Sequence, residues 1–148
     1  MNAKEMLNLP TKYKNIISMR VINAREMYIQ LTSPSMHYGE RIGSPGSKSN
    51  KGFVTGLDKI EAYNEETEKL KVEYVAINKK IESCIFLLEN LKEQQILIDL
   101  FLHFKTQRET AAKHGYSQRQ IQRIRDVGIE HLDAILKSNP NKGVFDLP

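Results

Sequence analysis

Eight side chains able to bind a polyanion lie within eighteen residues: Arg108, Lys113, Ser117, Gln118, Arg119, Gln122, Arg123 and Arg125. An Arg guanidinium can donate twice to guanine O6 and N7, and a Gln amide can pair with adenine N6 and N7. Gln118, Arg119, Gln122 and Arg123 are therefore the candidates for reading base edges. Ser117 at a helix start suits a phosphate, because the helix N-terminus adds its own donors and partial charge. Arg108, Lys113 and Arg125 are the further phosphate candidates. Residues 105–125 hold six bases against Glu109, a net +5. This is the chemistry of contact with double-stranded DNA.

Catalysis finds no comparable grouping. His37, His103, His114 and His131 are scattered, and neither His103 nor His114 shares a helical face with a cysteine or with a carboxylate pair at ligand spacing. Cys84 is alone, which excludes a disulfide framework or a cysteine-based zinc site within one chain. The glycines from Gly39 to Gly46 lack the strand–loop–helix context of a phosphate-binding loop. No enzymatic activity, cofactor or metal is expected.

The basic residues need an element to present them. Gly115 follows Ala111 by four residues, and Ile121 comes six later, a spacing that suits two short helices, 106–113 and 117–136, joined by a tight turn. Ala111 is small where the helices would cross. Gly115 can supply a left-handed backbone, and Ser117 can cap the second helix. At ~100° per residue, Ile124, Gly128, Leu132 and Ile135 stay on the side of Ile121, and Arg119, Gln122, Arg123 and Asp126 point outward with Gln118 on the flank. His114 occupies a place where an aliphatic residue is usual. A supporting helix is predicted over 93–104, its broad apolar face made by Ile96, Leu97, Leu100, Phe101 and Phe104. Asn139-Pro140-Asn141 ends the last helix before a tail.

Upstream, residues 57–91 carry a heptad seam: Ile60, Tyr63, Thr67, Leu70, Tyr74, Ile77, Ile81, Cys84, Leu88 and Leu91. A second amphipathic helix is predicted over 11–31, with Thr11 as its cap and Arg20 marking where the stripe meets water. The Gly-, Ser- and Pro-rich stretch 32–56 reads as a loop. A 21-residue helix covers ~30 Å of a ~50 Å partner at 1.5 Å per residue. That mismatch favours a contact between chains, so Leu70, Tyr74, Ile77, Ile81 and Leu88 are the candidate oligomerisation residues of a homodimer.

The whole reads as an all-α chain: a long helical hairpin or coiled-coil arm, 1–91, then a three-helix module with a helix-turn-helix, 92–138, and a tail, 139–148. Charge follows the same plan. Residues 57–93 are acidic, with nine acids against six bases, and the positive charge lies on either side. The opening residues lack a signal peptide's apolar run, and no stretch approaches the ~20 apolar residues of a membrane span. A reducing cytoplasm, that of a bacterial host for a phage protein, and no membrane are expected.

On these residues the C-terminal third resembles region 4 of sigma-70-type factors and the C-terminal modules of phage and prophage regulators of the ArpU and RinA type. Glu109-Thr110-Ala111-Ala112-Lys113-His114-Gly115-Tyr116-Ser117, Ile121 and the upstream Ile96 to Phe101 carry the resemblance. The opening Met1 to Leu7 also looks like the start of a group of small phage proteins from Gram-positive hosts. The resemblance implies a phage-encoded transcription regulator that binds duplex DNA, with RNA polymerase as a further partner. Two alternatives fit the same elements. One is a DNA-packaging recognition subunit like the small terminase. The other is a helical interaction or inhibitor protein that binds no DNA.

Overall fold

The computed structural model describes residues 2–33 and 49–138, and within them the fold is all-α, with no strand. The helices are α1 (Ala3–Thr32), α2 (Ser49–Ile85), α3 (Leu91–Leu97), α4 (Gln107–His114) and α5 (Gln118–Ser138). A π-helical turn, Ile98–Leu102, continues α3. The chain divides into two units, residues 14–72 and residues 1–13 with 73–148, so that α1 and α2 contribute to both.

Helix α1 starts well before the predicted residue 11. Asn2 Oδ1 accepts from the Glu5 backbone N–H at 2.8 Å, and Glu5 Oε2 accepts from the Asn2 N–H at 3.3 Å, a reciprocal capping box. Thr11 is inside the helix. Pro10 is inside it too, at the loss of one backbone hydrogen bond. The helix continues because Ala3, Met6, Leu7 and Pro10 are all buried, with Tyr13 packed against the same core. Met6 and Leu7 each contribute roughly 1.5–3 kcal/mol when fully buried.

Helix α2 is shifted upstream of the predicted 57–91. Residues 49–56, expected as loop, are helical, and the helix ends at Ile85. Asn90 stops the heptad reading: its side chain accepts from the Lys92 N–H at 2.9 Å and starts α3 instead. Leu88 still turns inward and is buried, but Leu91 is exposed. The loop expected over 32–56 otherwise falls largely on residues 34–48, and the tail on 139–148, both outside the described residues.

The unit formed by 1–13 and 73–148 has the larger core. Ala3, Met6 and Leu7 of α1, Ile77, Ile81, Cys84 and Ile85 of α2, Leu97 of α3 and Leu132 and Leu136 of α5 form one cluster. The N-terminal residues, assigned by pattern to a separate arm, thus pack on the last helix, where Asp133 Oδ1 accepts from the Ala3 N–H at 3.2 Å. Ile77, Ile81 and Leu88 were candidates for contact between chains. They are buried within one chain, so their seam is already covered; Leu70 and Tyr74 are half-buried.

In the unit of residues 14–72, α1 and α2 run antiparallel. Arg20 meets Tyr63, Thr67 and Glu66, whereas Leu31 lies against Gly56, where an added Cβ would come 2.5 Å from Leu31 Cδ1. Arg20 sits where the stripe meets water: its guanidinium lies 3.9 Å from the Tyr63 ring centroid. Ala24, Ile60 and Thr67 are the buried residues described here.

Candidate nucleic-acid interface

Helix α4 is held at both ends by its own sequence. Thr106 Oγ1 accepts from the Glu109 N–H at 3.1 Å, capping the start. At the other end Gly115 takes φ 71°, ψ 29°, and the Tyr116 N–H reaches back to the Ala111 carbonyl at 3.0 Å. That six-to-one bond closes the helix as a Schellman motif, which needs a left-handed residue at Gly115. Two residues later α5 begins. Ser117 Oγ accepts from the Gln120 N–H at 3.2 Å, and Gln120 Oε1 accepts from the Ser117 N–H at 2.9 Å. The box of Ser117 and Gln120 fixes the first turn of α5.

A small core sets the crossing of these helices. Ile96 of α3, Ala111 of α4 and Ile121 of α5 are buried together, with Leu100, Tyr116 and Ile124 against them. Gly128 sits further along α5, where an added Cβ would lie 3.3 Å from Leu97 Cδ1. The π-helical turn divides its side chains between two clusters. Leu100 joins this small core, and Ile98, Phe101 and Leu102 join the large one. Phe104, expected on the same apolar face, instead lies past the turn with φ 56°.

This frame turns the first two turns of α5 outward. Gln118, Arg119, Gln122 and Arg123 are all exposed. The guanidinium groups of Arg119 and Arg123 make no hydrogen bond or ion pair with another described residue. Gln122 Nε2 donates to Gln107 Oε1 at 2.9 Å across to α4. Arg108 is exposed on α4. Arg125 is half-buried and pairs with Asp126 at 3.1 Å. The Ser117 hydroxyl is engaged in the capping box, so its phosphate role would fall to the free N–H groups of the helix start.

Lys113 is placed differently from the expected free phosphate contact. Its ammonium bonds both oxygens of Asp99 at 3.1 Å. Asp99 is 2% exposed and also bonds His114 Nε2 at 2.9 Å. A carboxylate only accepts, so Nε2 of His114 carries the proton. His103 Nδ1 stands 3.5 Å from the other oxygen, and Lys105 Nζ 3.9 Å. Burial acts to raise the Asp99 carboxyl. The hydrogen bonds from His114 and Lys113, with the charges of Lys113 and Lys105, outweigh it and hold the group below the ordinary carboxylate range. The same bond holds the Lys113 ammonium above its ordinary value.

His114 therefore replaces the usual aliphatic residue with a polar tie from the end of α4 to the π-helical turn. Sequence reasoning missed Asp99. Its signal was a lone carboxylate inside the apolar run Ile96-Leu97-Ile98-Asp99-Leu100-Phe101-Leu102, a position that demands partners. A second such tie joins α3 to α5: the buried Glu93 holds His131 Nδ1 at 3.0 Å. Its hydrogen bond, then its charge, raises the His131 pKa. Among the described residues no group of three or more His, Cys, Asp or Glu is placed to hold a metal ion, and no helix is long and apolar enough to cross a membrane.

Comparison of the chain with family models, with curated proteins and with solved structures finds no match.

Proposed function

We propose that the chain is a sequence-specific DNA-binding transcription regulator of the kind phages encode, with α4, its turn and α5 acting as a helix-turn-helix. The observation that carries this reading is the outward face of α5. Gln118, Arg119 and Arg123 project unpaired from its first two turns, directly after a turn fixed by Gly115 and a cap fixed by Ser117. In a helix-turn-helix the N-terminal residues of the second helix contact base edges and the first helix crosses the backbone. Arg119, Gln122 and Arg123 then read bases, with Gln118 at the edge. Arg108, Lys113, Arg125 and the start of α5 face phosphates. The tie of Lys113 to Asp99 gives it a fixed position on α4, with half its side chain still exposed. A polymerase contact belongs to the same reading through the resemblance alone.

Selection of bound duplexes from a random pool, followed by anisotropy titration on the winners, tests it. A preferred sequence should emerge, with affinity falling steeply as salt rises. Arg119→Ala and Arg123→Ala should each cost ~1–3 kcal/mol on that sequence, and Arg108→Ala should weaken all duplexes alike and flatten the salt slope. Unchanged binding in the Arg119→Ala, Arg123→Ala double variant removes the groove assignment. No salt-sensitive binding to any duplex removes the function and favours a helical interaction protein.

A further inference from the structure

The helix pair of residues 14–72 is dressed on one side and bare on the other. With the buried Ala24 and Ile60 as inward references, ~100° per residue turns Arg20, Asn23, Tyr63 and Glu66 to one side. There Arg20 bonds Thr67, the Tyr63 carbonyl and Glu66, and Asn23 meets the Tyr63 hydroxyl at 3.4 Å. The same count turns Val21, Ile22, Tyr28 and Ile29 of α1, with Val54 and Val72 of α2, to the opposite side. These six are 44–70% exposed. Arg25 lies among them on α1. Glu61 and Glu65 lie on α2, beside an open groove that Leu57 and Ile60 also line.

We propose that this bare side is a dimer interface, occupied by the same side of a second copy of the chain in a four-helix arrangement. Its apolar part is on α1, where Val21, Ile22, Tyr28 and Ile29 lie within about 12 Å of helix length. On α2, Glu61, Glu65 and Glu68 lie between Val54 and Val72, so the side sets an apolar half beside an acidic one, the make-up of a contact surface. Its size suffices. A face two helices wide, about 20 Å, and ~28 Å long buries on the order of 1,100 Å² over both copies, above the ~1,000 Å² of a specific interface. Its charge selects the partner and the orientation. A two-fold axis across the helices would set α1 on α1 and α2 on α2, with Glu61 and Glu65 facing their own kind. An axis along the helices sets α1 of one copy on α2 of the other. The Arg25 side chain then comes level with Glu61 of the opposing copy, because Arg20 is already level with Tyr63 to Thr67 within one chain. Such an isologous contact forms each pair twice. The expected homodimer thus moves from the seam, which one chain covers, to the face that nothing described covers.

Sedimentation equilibrium of the full chain should give twice the 17.1 kDa chain mass at micromolar concentration. The Ile22→Glu, Ile29→Glu double variant should sediment as a monomer with unchanged helical circular dichroism, since both positions are exposed. Arg25→Glu alone and Glu61→Arg alone should each weaken association by about tenfold. Mixing those two single variants should restore it. In a mixed dimer each acidic position faces a basic one at both copies of the contact, whereas each variant alone sets like charges against each other. A wild-type chain that stays monomeric, as it would if its own residues 34–48 covered the face, overturns the proposal. So does a dimer that survives the double variant, or a mixture that fails to recover. None of these measurements uses DNA, so the outcome is separate from that of the DNA reading.

Discussion

Helix α2 passes through both units, and the two halves of its stripe meet different surroundings. In the lower half Ile60 and Thr67 are buried, with Tyr63 and Leu70 only partly so, against one other helix. In the upper half Ile77, Ile81, Cys84 and Ile85 are buried among residues of α1, α3 and α5. Periodicity shows that a face is apolar; the number of helices available to cover it decides how much burial each position gains. Two helices shield a strip one residue wide. Four shield whole side chains, and they can also enclose polar groups such as Asp99 and Glu93, provided these find partners.

The largest consequence is in stability. Leu132 is fully buried where α5 meets the large core, and Leu132→Ala should cost about 3–5 kcal/mol in urea unfolding. Ile60→Ala, at the centre of the thin pair, should cost about half as much, because the cavity opens to solvent. Equal costs for the two would show that residues 14–72 are covered as well as the rest. Amide exchange sharpens the contrast. If the exposed side of 14–72 is the proposed dimer contact, protection in 14–32 and 52–72 should fall on dilution, and protection in 118–138 should not.

Next in size is the tie at Asp99. Asp99→Ala leaves Lys113 and His114 without their acceptor and should cost roughly 2–3 kcal/mol. The carboxyl is held below its ordinary value of 3.8 when folded. Its contribution is therefore complete above that value and is lost as pH falls through the lower, folded pKa. Wild type should lose stability in that acid range, and Asp99→Ala should lose less there. Parallel acid profiles would mean that the carboxylate adds nothing. No charge of this kind is buried among the described residues of 14–72, where the Glu66 partner of Arg20 is exposed.

Gly115→Ala should cost about 1 kcal/mol, a smaller effect with a different cause. Nothing lies within 4 Å of an added Cβ, so space is not the obstacle; the φ of 71° is. Thermal unfolding checks it, and a neutral result would show that the turn relaxes out of the left-handed region.

Those local rules explain which parts of the fold were legible. Gly115, Ser117 and Thr106 act through their immediate neighbours, so α4 and α5 were read to within two residues at each end. The Asn2–Glu5 start of α1 and the Asn90 cap of α3 follow the same chemistry, but Pro10 and an unbroken heptad count hid them. The division into arm and module was not legible, because it depends on which distant segment covers a face. Nothing near Met6 and Leu7 tells that they pack with Leu132. Of the candidate site, the exposed Gln118, Arg119 and Arg123 needed only the helical repeat. The engagement of Lys113 required the position of Asp99, fourteen residues away.

The finest test of the contrast is titration near neutral pH. Residues 14–72 have Arg20 as the centre of their polar contacts, with Thr67, Tyr63 and Glu66. The other unit has His131 on Glu93, which lifts the imidazole above its ordinary 6.5. A raised folded pKa adds stability that is fully present below the unfolded value and is lost as pH rises through the folded one. Urea midpoints of the wild type should therefore fall slightly as pH climbs from about 6 to 8, and those of His131→Gln should stay level. Because the imidazole is largely exposed, solvent screens the pair and the slope should be shallow. A slope that persists in His131→Gln would assign the titration to another group and leave the bond to Glu93 without a share in it.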